Sequence, residues 1–66
     1  METDKERFLE LMQDFGIAQT YDYSEGDVIV IVYEAKSQDR VIGYFGFSMN
    51  WFFDENGKFV QVGIWE

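Results

Sequence analysis

The chain has 66 residues, enough for one domain, and 13 acidic against 5 basic residues give it a net charge of −8. This charge disfavours binding to nucleic acid or to an anionic membrane, because few side chains could neutralise phosphates. The absence of Cys and His excludes disulfides, ordinary zinc sites and a Ser-His-Asp arrangement. Aromatic residues make up 20% of the chain, and such large rings can build a dense core in a small domain.

Residues 3–15 are predicted to form a helix. Thr3 followed by Glu6 has the spacing of a capping box, which marks a helix start. One face carries apolar residues at the i, i+3, i+4, i+7 positions: Phe8, Leu11, Met12 and Phe15. Gly16 is suited to the left-handed residue that follows a helix end, so the helix is predicted to stop there.

The middle of the chain predicts two strands and two connections. Residues 17–23 are predicted to form a strand, and residues 24–27 a tight turn in which Gly26 adopts a positive φ. Residues 28–34 are apolar at every position but the last and rich in β-branched side chains, which indicates an interior strand. Residues 35–40 are polar and predict a loop.

The remaining residues predict a long aromatic hairpin built from strands at 41–53 and 58–65. Gly43 and Gly46 interrupt the first of these strands, which indicates a bulge or a close approach of another backbone. The turn at residues 54–57 has Asp first, Asn third and Gly fourth. This order favours a type I turn followed by a G1 bulge, and a two-residue type I′ turn is the alternative.

The choice of turn decides which aromatic rings share a face, because a shift of one residue moves a strand's side chains to the other face. The bulged form pairs Phe53 with Phe59 and places Phe59 and Trp65 on the same face as Trp51. The two-residue form pairs Trp51 with Val62 and moves Phe59 and Trp65 to the opposite face. The bulged form is the one expected.

Short connections predict an α+β fold, in which an N-terminal helix packs on a four-stranded antiparallel meander with strand order 1-2-3-4 (αββββ). A helix of about 13 residues is ~20 Å long and covers one sheet face only in part. Yet three strands are apolar on both faces, and uncovered apolar patches mark interfaces. The alternative to an exposed patch is that curvature of the sheet brings the aromatic rings together into one core. The candidate interaction surface comprises five rings and four acids: Tyr33, Tyr44, Phe52, Phe59, Trp65, Asp22, Glu34, Asp54 and Glu55.

The residues that chemistry would require are missing, so the chain is predicted not to be an enzyme and to hold no metal or cofactor. The paired carboxylates Asp54 and Glu55 are explained by the turn on which they lie. The same turn lacks the Gly and Glu positions of a calcium-binding EF-hand loop. A phosphate-binding glycine motif between a strand and a helix is absent as well.

The sequence predicts a cytoplasmic protein. No apolar run approaches the ~20 residues that a membrane span requires. The first six residues, Met-Glu-Thr-Asp-Lys-Glu, are charged and differ from a signal peptide.

Three segments of the C-terminal half, GYFGF at 43–47, WFFDENGKF at 51–59 and VGIWE at 62–66, carry a resemblance to known sequences. They resemble the C-terminal part of small uncharacterised proteins encoded by bacteriophages and prophages. That resemblance implies a phage context, in which short acidic proteins often bind a host protein. Some such proteins inhibit bacterial defences, including anti-CRISPR proteins that present acidic surfaces where nucleic acid would bind. It assigns no functional residues.

The resulting hypothesis is an acidic, non-catalytic interaction module that binds and inhibits a host factor such as a defence protein in the host cell cytoplasm. Its partner is expected to be a protein with a basic surface, or a second copy of the chain in a homodimer. One alternative is a homo-oligomer that sequesters a small molecule in an aromatic pocket. Another is a structural phage protein.

Overall fold

The computed structural model describes residues 2–34 and 46–65. It contains one helix and four strands: α1 (Asp4–Asp14), β1 (Tyr21–Glu25), β2 (Val28–Glu34), β3 (Ser48–Phe53) and β4 (Phe59–Trp65). The strands form one antiparallel sheet in the order β1-β2-β3-β4, which confirms the predicted α+β meander. Within the described residues, no helix has the length and apolar character that crossing a membrane would require.

The predicted signals at both ends of α1 are present. The Thr3 hydroxyl accepts a hydrogen bond from the Glu6 amide at 3.2 Å, and the Thr3 amide donates to Glu6 Oε1 at 2.9 Å. The bond from the Thr3 backbone, followed by that from its side chain, lowers the pKa of Glu6. At the other end Gly16 has a φ of 75°, and the Ile17 amide donates to the Met12 carbonyl at 2.8 Å.

The first turn of α1 is fixed to the turn between β3 and β4. The Lys5 amide donates to the Gly57 carbonyl at 2.8 Å, and the Phe59 amide donates to Asp4 Oδ2 at 2.9 Å. Gly57 lies directly beneath Thr3, because a Cβ added to Gly57 would be 2.7 Å from the Thr3 Cβ. These contacts tie residues far apart in sequence and set the position of the helix on the sheet.

β1 begins and ends later than the predicted strand at 17–23. Glu25 pairs with Val28, so the connecting loop consists of two residues, and Gly26 is the first of them, with a φ of 64°. A positive φ at the first loop residue is the pattern of a type II′ turn, whose twist suits a hairpin. The predicted turn at 24–27 was therefore centred one residue too early.

β2 is the interior strand that its composition predicts. Val30, Ile31, Val32 and Tyr33 are at most 1% exposed. Ile31 and Tyr33 point to the sheet face that α1 covers (the helix face), where they join the core with Met12. Val30 and Val32 are equally buried on the opposite face (the far face), so both sides of the sheet contain fully buried residues.

Tyr33 is a correction to the predicted interaction surface. The sequence placed it among the rings available to a partner, but its side chain is 1% exposed and the Phe8 ring packs edge-on against it at 5.8 Å. Burial raises the pKa of the Tyr33 hydroxyl to about 12. The apolar run that predicted an interior strand is also the reason that this ring is enclosed.

The turn between β3 and β4 has the predicted conformation. Gly57 has a φ of 77°, and its amide donates to the Asp54 carbonyl at 2.9 Å. Asp54 Oδ1 also accepts hydrogen bonds from the amides of Asn56 and Lys58, each at 2.9 Å. The side chain of Asp54 is thus part of the turn itself.

The pairing of β3 with β4 combines the two predicted registers. Phe53 pairs with Phe59, as in the bulged form, but Trp51 pairs with Val62, as in the two-residue form. The register shifts between these pairs because Val60 is an extra residue in β4, that is, a β-bulge. Phe59 therefore lies beside Trp51, at 5.6 Å between ring centroids, as predicted.

The same bulge overturns the prediction for Trp65. Trp65 pairs with Ser48 and lies on the far face, where its ring packs 5.9 Å from that of Phe52. The ring also covers Gly63, because a Cβ at Gly63 would overlap it. The strand predicted at 41–53 is described only from Ser48, and Gly46, with a φ of 85°, lies before it. Gly43 lies outside the described residues.

Candidate protein-binding surface

A groove runs along one side of α1, between the helix and the β3–β4 hairpin. Its volume is about 500 Å³. Apolar side chains from both elements form its floor and walls, and a pair of charged residues stands at its rim. The lining residues are Phe8, Leu11, Trp51, Phe53 and Phe59, with Asp4 and Arg7 at the rim. We refer to this set as the groove.

The groove has a packed floor and open walls. The Phe8 ring stacks on Trp51 at 4.3 Å and lies 5.7 Å from Phe53, which is 1% exposed. The side chains above this floor are accessible, since Leu11 is 50% exposed and Phe59 is 44% exposed. A partner's apolar side chain could therefore enter the groove and meet a surface that is already ordered.

The floor contains one unpaired polar atom. The Nε1 of Trp51 is buried and has no hydrogen-bond acceptor among the described residues. A buried donor without a partner destabilises a fold by about 1–3 kcal/mol. Within the described residues, the contact that holds the Trp51 ring most closely is its stacking on Phe8.

Beyond the groove, β4 continues as an exposed apolar strip. Val62 and Ile64 pair with Trp51 and Met49, so they share the helix face with the groove. They are 44% and 54% exposed, because α1 packs over β2 and β3 and leaves this strand open. The helix thus covers only part of the face, as its length predicted.

Acidic side chains crowd the exposed side of α1 next to the groove. The pKa of Glu10 is raised, first by a side-chain hydrogen bond to Glu2 and by the repulsion of that carboxylate, and further by Asp14. The salt bridge from Arg7 to Asp4 spans 3.5 Å and offsets one acid of the first turn. A cation close to Glu10 would relieve this repulsion.

The structure separates the rings that the sequence grouped as one surface. Phe59 lies in the groove on the helix face, whereas Phe52 and Trp65 pack together on the far face. Trp65 remains 47% exposed. Tyr33 is in the core, and Tyr44 lies outside the described residues.

The four predicted acids do not line the groove. Asp22 is exposed on β1 and accepts a hydrogen bond from Gln19 Nε2 at 2.6 Å. Glu34 is half-buried at the end of β2, and Asp54 is engaged in its turn. Glu55 is exposed on that turn.

Sequence reasoning missed the helical wall of the groove. Leu11 and Phe15 belong to the apolar face that the helical spacing predicts, yet they are 50% and 59% exposed. Phe8 and Met12 of the same apolar face do pack onto the core. The helical spacing identifies the apolar stripe, but how far that stripe extends past the sheet depends on where the first turn is anchored.

A second cavity lies at the C-terminal end of α1. Its volume is about 410 Å³, within the usual range for a small-molecule site. It is lined by Leu9, Gln13, Gly16, Ile17, Ala18, Gln19 and Tyr33. Across residues 2–34 and 46–65, His, Cys, Asp and Glu side chains form no cluster that could hold a metal ion.

Comparisons with family models, with curated proteins and with solved structures found no match to this chain. Function is therefore inferred from the surface itself.

Proposed function

We propose that this protein is a non-catalytic binding module whose groove receives an apolar side chain of a partner protein. The observation that carries the proposal is the contrast between the buried floor of the groove and its half-exposed walls, Leu11 and Phe59. Apolar anchors that enter a preformed pocket supply most of the energy at many interfaces.

The partner is expected to carry basic residues around this apolar anchor. The net charge of −8 favours encounter with a positive surface by long-range attraction. Glu10 and Asp14 stand beside the groove, and the pKa of Glu10 is raised by its hydrogen bond with Glu2 and by the repulsion of neighbouring acids, which a partner's Lys or Arg would reduce. Binding should therefore weaken as the salt concentration rises.

The test uses two substitutions that introduce the same charge on different sides of the molecule. Leu11→Lys places a cation in the groove wall, whereas Tyr21→Lys places one on β1, where Tyr21 is 49% exposed. Tagged wild-type protein and both variants are used to capture partners from lysates of several bacterial hosts. We expect a basic protein that binds wild type and Tyr21→Lys and that loses at least about tenfold in affinity with Leu11→Lys. Equal capture by all three proteins would place binding outside the groove.

A narrower proposal follows from the resemblance to phage proteins: the partner is a host factor, such as a defence protein, that the module inhibits. An acidic surface suits a partner that normally binds nucleic acid, because the acidic surface and nucleic acid both present negative charge to that partner. The chain would be expressed in bacteria that carry a defined defence system and then challenged with phage. Restored plaque formation by wild type, and its loss with Leu11→Lys, is the expected result. Unchanged defence across several systems would contradict this narrower proposal.

The second cavity supports a second candidate function, the binding of a small molecule. Its lining is mainly apolar, with the amides of Gln13 and Gln19 as polar groups. Native mass spectrometry of the purified protein and a thermal-shift screen of nucleotides test this candidate. A molecule that raises the melting temperature of wild type but not that of a Gln13→Leu variant would support this candidate. A protein that co-purifies with no ligand and shows no shift with any nucleotide would contradict it.

A further inference from the structure

Among the described residues, the outer side of β4 is an open sheet edge. No other strand within residues 2–34 and 46–65 pairs with it. The strand Phe59–Trp65 contains neither a charged residue nor Pro, the residues that usually protect an edge from pairing with another chain. The bulge at Val60 and the bond from the Phe59 amide to Asp4 protect its first two residues. The regular stretch at 61–65 is left open.

This stretch offers apolar side chains on both faces of the sheet. Val62 and Ile64 are on the helix face and Trp65 is on the far face, with exposed fractions between 44% and 54%. A strand added beside β4 would cover side chains of both faces and satisfy the outward backbone groups. Such an addition would also support a 66-residue domain that has no disulfide.

Charge selects a second copy of this chain as the occupant. Two molecules with a net charge of −8 repel each other over most of their surfaces, and contact is least costly where neither presents a charge. β4 is uncharged along its whole length, whereas a basic foreign strand would find no acid there to recognise. We propose that the protein forms a two-fold symmetric dimer in which β4 pairs antiparallel with β4 of a second copy.

The regular stretch also fixes the register. Pairing the whole of 61–65 with itself places the two-fold axis beside Gly63. Val62 then lies opposite Ile64 of the second copy on the helix face, and Gln61 lies opposite Trp65 of the second copy on the far face. Both helices lie on the same side of the resulting eight-stranded sheet. The pairing excludes Phe59, so each groove stays open.

The dimer is expected to be weak and dependent on concentration. Side chains that are about half exposed supply on the order of 400 Å² per copy, or about 800 Å² in total, which is below the ~1,200 Å² of stable interfaces and in the range of weak, transient ones. A dissociation constant on the order of 100 µM is therefore expected. Assembly stops at two copies, because the free edges of the dimer are the two β1 strands, each of which carries Asp22 and Glu25.

Sedimentation equilibrium over a range of concentrations tests the dimer. We expect wild type to shift from monomer to dimer as concentration rises, and Val62→Lys to remain monomeric with at least about a tenfold weaker association. Tyr21→Lys adds the same charge to the β1 edge and should dimerise like wild type. A wild type that is monomeric well above the expected dissociation constant, or a dimer weakened equally by both variants, would overturn the proposal.

Disulfide trapping tests the register, since the natural chain has no Cys. Val62→Cys and Ile64→Cys chains are oxidised separately and as a mixture. Faster formation of the mixed cross-link than of either self-cross-link supports the two-fold axis beside Gly63. Failure of every combination to cross-link above the rate of a Tyr21→Cys control would overturn strand pairing through β4.

Discussion

The two outer strands of the described sheet protect their edges differently. β1 has five residues, all exposed, and two of them are the acids Asp22 and Glu25. β4 has seven residues without a charge, and five of its side chains are exposed and apolar. Charge on an edge strand prevents pairing with other chains, whereas an uncharged edge permits it. The sheet thus has one edge, β1, whose charges oppose strand pairing with other chains, and one edge, β4, without such charges.

The hairpins behind the two edges differ in the same way. The β1–β2 loop is free of tertiary contact at Gly26, where a Cβ would meet nothing within 4 Å. The β3–β4 turn is packed under α1, with Gly57 against Thr3 and its carbonyl bonded to the Lys5 amide. The anchored hairpin therefore holds both the groove and the open edge in a fixed geometry.

The largest expected effect comes from Gly57→Ala, which disrupts the anchored hairpin. A Cβ at positive φ lowers the free energy of unfolding by about 1–2 kcal/mol, and the overlap with Thr3 raises the total loss to about 3 kcal/mol. Gly26→Ala, also at positive φ but in open space, should cost only about 1 kcal/mol. Urea unfolding of both variants, followed by tryptophan fluorescence, measures the difference. Equal losses would mean that α1 does not depend on this contact.

The next largest effect is expected from removing the charges of the protected edge. Asp22→Thr with Glu25→Thr leaves β1 uncharged, so this edge should begin to pair with other copies. In a Val62→Lys background, where β4 is blocked, we expect association to strengthen about tenfold, which corresponds to ~1.4 kcal/mol. Sedimentation equilibrium measures this change.

A matched control separates edge protection from net charge. Glu10→Gln with Asp14→Asn removes two exposed acids from α1, so both double variants lower the magnitude of the net charge by two. The helix variant should stay monomeric in the same background. If both double variants associate alike, net charge and not the β1 edge keeps the protein apart.

The strand order and the helix were predictable because their signals are local. The capping box at Thr3, the apolar run at 28–34 and the turn at Asp54 each act within a few residues. The face of Trp65 was not predictable, because the bulge at Val60 depends on how β4 meets β3 after the turn.

The groove was equally beyond a sequence argument. Its helical wall at Leu11 stays open because Lys5 and Asp4 anchor α1 to residues more than 50 positions away in the chain. Such long-range contacts fix the offset between helix and sheet, and no periodicity in α1 encodes them. The acids next to the groove, Glu10 and Asp14, are different, since charged residues on the polar face of a helix are expected to be exposed.

The smallest expected effect is at Gly63, on the far face of the available edge. Gly63→Ala would overlap the outer end of the Trp65 ring and push it into solvent, while the change in stability stays within about 1 kcal/mol, because that ring is already 47% exposed. In a Trp51→Phe background, Trp65 is the one remaining tryptophan, and its emission should shift to longer wavelength. Gln61→Ala, on the same face, should leave the emission unchanged. An unshifted spectrum in Gly63→Ala would show that the backbone of β4 moves and the Trp65 ring does not. The contact of Trp65 with Phe52 on the far face would then be retained in the variant.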